Sequence, residues 1–81
     1  MRVVADIPNP DMKVTLLNWN GKYLIKLEKG DFEQTYKISE MDVMGDAGAK
    51  ELLDEDFLEA TLNRFNDMRD AFVSTVRRNN G

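Results

Sequence analysis

Between Lys13 and Ser39 apolar and polar side chains alternate with a period of two, and Asn20-Gly21 and Lys29-Gly30 cut the run into three strands. Asn-Gly is the pair that a two-residue type I′ hairpin needs, because both central positions take positive φ. That turn predicts Trp19 opposite Lys22, Leu17 opposite Leu24, Leu16 opposite Ile25, Val14 opposite Leu27 and Lys13 opposite Glu28. In this register Val14, Leu16, Ile25 and Leu27 share one face and Lys13 meets an unlike charge. For the second hairpin, pairing Leu27 with Phe32 sets Lys26 against Glu33. It also keeps the row Phe32, Gln34, Tyr36 and Ile38 on the core face. A Gly30 bulge would instead turn Glu33 and Lys37 inward, at the cost of burying charge.

From Asp54 the period changes. Leu58, Leu62, Phe65, Phe72 and Val76 recur at intervals of three and four or their sums, with Phe57, Thr61, Met68 and Val73 widening the stripe, as an amphipathic helix requires. Asp54, Glu55 and Asp56 stand at its positive end, and Arg77 and Arg78 at its negative end. A helix from Glu55 to Arg78 would run about 36 Å, whereas strands of about seven residues span about 24 Å. Roughly two turns carrying Phe72, Val73 and Val76 therefore overhang the sheet.

The chain thus reads as one α+β domain over residues 1–81, a three-stranded antiparallel β-meander packed on one long C-terminal helix. Residues 1–11 read as an arm, because Pro8 and Pro10 break regular structure, although Val3 and Val4 suit a fourth, edge strand. Residues 12–39 form the meander, and residues 40–53 a connector in which Asp46 is placed to cap a short helix over Ala47 to Leu53. Residues 54–78 form the long helix.

Composition narrows the chemistry. There is no cysteine and no histidine, which removes disulfides, thiolate nucleophiles and imidazole acid–base work. The densest remaining group is Asp54, Glu55, Asp56 and Glu59, which could hold a hard cation or act as an acid/base pair. Helix capping and dipole complementarity, with Asp56 and Glu59 as a capping-box-like pair, explain the same residues more simply. Gly45-Asp46-Ala47-Gly48 lacks the Lys-Ser or Lys-Thr of a phosphate loop, and its aspartate would repel phosphate. No catalytic, cofactor-binding or metal-ligating residue is therefore assigned, and catalysis by carboxylates ranks last among the readings.

Net charge is -4, which disfavours phosphate backbones as partners. Trp19, Lys22, Lys26 and Lys37 nonetheless share the sheet face opposite the helix, the mix of aromatic and basic groups that single-strand binders use. That makes a nucleic-acid binder the second reading. The first is a small non-catalytic interaction or scaffold module, a homodimer or a partner of another protein, using Leu17, Trp19 and Leu24 on the outer sheet face and Phe72, Val73 and Val76 on the helix. Folding back of Val3, Val4 and Ile7 would cover the sheet patch instead. No apolar run approaches a membrane span and the N-terminus lacks a signal-peptide pattern, so a cytoplasmic, membrane-free setting is expected.

The stretch Trp19 to Gly30, then Glu33 to Lys37, and later Leu52 to Leu58, resembles a family of small uncharacterised bacterial proteins of Bacteroidetes type. The resemblance covers most of residues 7–72 and brings no assigned activity, substrate or site. Strands followed by one helix also resemble PC4-like and PUR-type single-strand-binding folds in outline, with no matching motif, and outline alone implies no function.

Overall fold

The Asn20-Gly21 turn organises the sheet as its chemistry requires, with φ of 53° and 76° at its two central residues. In the computed structural model, which describes residues 1–80, it joins β2 (Lys13–Trp19) to β3 (Lys22–Lys29) in the expected register, from Trp19 opposite Lys22 to Lys13 opposite Glu28. Gly30 and Asp31 make the next turn into β4 (Phe32–Ser39), with φ of 59° at Gly30 alone, as type II′ geometry requires.

That second turn corrects the expected pairing. Lys29, not Leu27, lies opposite Phe32, so Leu27 meets Gln34 and Lys26 meets Thr35. The displacement is two residues, an even number, so the aromatic row keeps its face. The tighter loop places Glu28 opposite Glu33, and Lys26 relieves the repulsion, its ammonium 3.1 Å from Glu33 and 3.8 Å from Glu28. Hydrogen bonding to Glu33 first, and the field of both acids, raise the Lys26 pKa.

The N-terminal residues are not a loose arm. Arg2–Ile7 forms β1, which pairs antiparallel with β2 and makes a four-stranded sheet in the order β1-β2-β3-β4. The register slips between Val3 and Ala5, and this bulge keeps Ile7 beside Val14 while Val3 lies beside Leu17. Pro8 and Pro10 sit in the loop that follows, where the Asn9 side-chain oxygen accepts the Asp11 and Met12 amides at 2.8 and 3.2 Å.

Beyond β4, a short 3-10 turn (Glu40–Asp42) leads into α1 (Gly45–Glu51) and then α2 (Glu55–Asn80). Asp46 does not cap α1. The cap position is Met44, without a side-chain bond, and the Asp46 carboxylate turns to Arg2 and Tyr23 instead. The α2 cap is Asp54, whose side chain accepts the Phe57 amide at 2.8 Å, in place of an Asp56–Glu59 box.

Both helices cover one sheet face. Val14, Leu16, Tyr23, Ile25 and Leu27 from the sheet meet Ala49 of α1, Leu53 of the joint and Phe65 of α2 in a single core. Each large side chain buried there contributes about 1.5–3 kcal/mol. Among the described residues no helix is long and apolar enough to cross a membrane.

Candidate functional site

Polar contacts place α2 on the sheet. Gln34, on the core face of β4, is buried, and its amide donates to the Thr61 carbonyl at 2.8 Å while its carbonyl accepts the Tyr36 hydroxyl at 2.6 Å. Arg64 donates to the Tyr36 oxygen at 2.8 Å, and the Thr61 hydroxyl donates to the Leu58 carbonyl at 2.8 Å. A buried amide must be bonded on both sides, so this chain of contacts fixes how α2 lies along β4. Tyr36 also meets Phe57 edge to face, with ring centroids 5.3 Å apart.

Held in this way, α2 runs from Tyr36 towards the β3–β4 turn and continues past it. Phe65 is 2% exposed, whereas every described residue from Arg69 onward is exposed. Phe72 is 58% exposed although its ring meets that of Phe32 edge to face at 6.0 Å. Val73 and Val76 are exposed beyond it. The apolar stripe outlasts the sheet, as the length comparison implies.

Between the overhang and the β3–β4 turn lies a groove of about 580 Å³. Phe32, Phe65, Phe72, Val73 and Val76 line it with apolar surface, and Lys29, Arg69 and Arg77 stand on it against the one acid Asp31. Phe72, Val73 and Val76 were expected here from their spacing. Phe32 and Lys29 were not, because only the tight Gly30-Asp31 turn brings the hairpin end alongside the helix. A smaller cleft of about 250 Å³ lies at the other end of α2, between Ile38 and Tyr36 of β4, Leu52 of the joint and Phe57 of α2. No pattern in the sequence singles out that cleft, since it depends on the turn between α1 and α2.

The remaining candidates fall on the opposite sheet face. Leu17 and Leu24 are directly paired there, and Lys37 flanks Leu24 from β4. The patch is smaller than expected: Leu24 is 9% exposed and Leu17 half-buried, leaving Trp19 at 52% as its open part. β1 extends this face at its edge, with Val3 beside Leu17, and does not fold over it. Trp19, Lys22, Lys26 and Lys37 do share the face, but Lys26 is engaged by Glu33 and Glu28.

A third cluster went unseen in the sequence. The Asp46 carboxylate accepts both Arg2 guanidinium nitrogens, at 3.1 and 3.2 Å, and the hydroxyl of buried Tyr23 at 2.7 Å. The Arg2 bond first, then that from Tyr23, lowers the Asp46 pKa to about 2. The bond to Asp46 raises the Tyr23 and Arg2 pKa values. The effect is to tie β1, β3 and α1 together. Asp54, Glu55, Asp56 and Glu59 do not converge: among the described residues no three carboxylates gather closely enough to hold a metal ion.

No family model, curated protein or solved structure matches the chain.

Proposed function

We propose that the protein is a small non-catalytic interaction module that works as a homodimer, with the α2 overhang as its docking surface. One observation carries this reading. The apolar stripe that packs on the sheet at Phe65 continues to Phe72, which touches only the end of β4 at Phe32, and on to Val73 and Val76 beyond it. Phe72 is 58% exposed and Val73 and Val76 are 37% and 39% exposed, so a partner could recover that share of the about 1.5–3 kcal/mol that full burial of each contributes. The cytoplasmic setting expected from the sequence belongs to the same reading, as does the resemblance to small bacterial proteins without assigned activity.

Sedimentation equilibrium at tens of micromolar tests it, with twice the chain mass as the expected result. Phe72→Glu should shift that mass towards the monomer while chemical denaturation stays cooperative, which shows that the core remains folded. A single-chain mass for the unmodified protein across that range would remove the homodimer from the reading.

A second reading rests on the bare outer face, where Trp19 is half exposed among Lys22 and Lys37. Single-stranded nucleic acid would stack on Trp19 and place phosphates against the lysines. Labelled oligonucleotide should then bind at low salt and dissociate steeply as salt rises. Absence of binding at low salt ends this alternative.

A further inference from the structure

The two ends of α2 carry opposite charge. Its N-terminal shoulder presents Glu51, Asp54, Glu55, Asp56 and Glu59, all exposed, and its C-terminal overhang presents exposed Arg69, Arg77 and Arg78 against one acid, Asp70, which pairs with Arg69 at 3.5 Å. The molecule is elongated, with extents of 50 × 25 × 18 Å. Arg77 and Glu59 are about 27 Å apart along the helix. Each end is also incomplete in shape, since the overhang displays Val76 and Phe72 while the shoulder holds the cleft between β4 and Leu52 and Phe57.

These facts choose between two ways of pairing the helices. A twofold axis through the overhang, at Val73, would set Arg69 of each copy opposite Arg77 of the other, because both lie four residues from the axis, and would press together two ends that each carry three arginines against the single acid Asp70. Like charges placed opposite one another select against a contact. An axis at the middle of α2 removes the clash and brings unlike ends together.

We infer that the partner of the overhang is the acidic shoulder of a second copy, in an antiparallel, staggered dimer that sets Arg77 and Arg78 of each chain beside Glu55, Asp56 and Glu59 of the other. Val76 then comes level with the cleft at Phe57, so apolar burial and charge pairing act at the same contact. Twofold symmetry makes the contact twice, which closes the assembly at two copies. This geometry rests on the homodimer reading and specifies its partner surface.

Charge reversal tests it. One variant carries Arg77→Glu and Arg78→Glu, leaving both ends acidic; a second carries Glu55→Arg, Asp56→Arg and Glu59→Arg, leaving both basic. All five positions are exposed, and circular dichroism checks that each variant folds. Each alone should dimerise at least about tenfold more weakly than the unmodified chain at low salt. An equimolar mixture should regain the dimer, because acidic overhang then meets basic shoulder and basic overhang meets acidic shoulder. If each variant dimerises alone as well as the unmodified chain, or the mixture regains nothing, the staggered arrangement is wrong while the homodimer stands. If the unmodified chain is monomeric, the homodimer reading fails first and takes this geometry with it.

Discussion

Single side chains decide how this small fold is tied together, and two of them make separable predictions. Asp46 is held by Arg2 and Tyr23, and its pKa falls from an ordinary 3.8 to about 2. A carboxylate whose pKa is depressed by folding stabilises the native state above its unfolded pKa, and that contribution drains away as pH falls through the folded value. Part of the acid unfolding limb should therefore lie between about pH 4 and pH 2. In Asp46→Asn this segment should flatten, and in the unmodified chain the Asp46 carboxyl carbon should titrate by NMR near 2. A midpoint close to the ordinary value would mean that the Arg2 and Tyr23 contacts are not maintained in solution. Gln34 works differently, as a buried amide with no charge to titrate. Gln34→Ala removes its bonds to Thr61 and Tyr36 and leaves a void beneath α2, which should cost about 1–3 kcal/mol in chemical denaturation. An unchanged midpoint would show that α2 is positioned by apolar packing alone.

Elements differ in how far they could be read from the sequence, and the reasons are physical. The β2–β3 hairpin was legible pair by pair because Asn20 and Gly21 accept positive φ and so admit one turn type. Lys29-Gly30-Asp31 admits several, and the type II′ form moved β4 by two residues without moving any side chain to the other face. β1 was only half legible: Pro8 and Pro10 marked the break, but pairing with β2 depends on a bulge at Val3–Ala5 that local sequence does not encode. The length of α2 and its unsupported end were readable from periodicity, whereas the grooves at its two ends required the turns that shape them. Gly21→Val tests the legible part. At φ of 76° a β-branched residue is strained although no atom lies within 4 Å of an added Cβ. The fold should lose more than about 1 kcal/mol, and the loss should appear without any change in the width of the denaturation transition. A substitution without cost would place the organising turn elsewhere.

At the scale of the whole molecule, one helix belongs to two environments, and this has a kinetic signature. From Glu55 to about Met68, α2 is anchored by Phe65, Thr61 and the Gln34 network, and its amides should share the protection of the core. Residues 69–80 form about 18 Å of helix whose side chains are all exposed and whose only aromatic contact is Phe72 on Phe32. A few turns of helix without tertiary packing are marginal in water, because propagation gains little when no face is buried. The anchored half removes the nucleation cost but adds nothing to the hydrogen bonds beyond it. In dilute protein the amides of residues 70–80 should therefore exchange far faster than those of residues 58–68. Raising the concentration through the monomer–dimer midpoint should slow exchange in the overhang selectively, because there association supplies the tertiary packing that the helix end otherwise lacks. The shoulder residues should change little, since that half of the helix is already anchored on the core by Phe65 and Thr61. Equal overhang protection at both concentrations would mean that the helix end is stable by itself, and the energetic case for a second chain would fall.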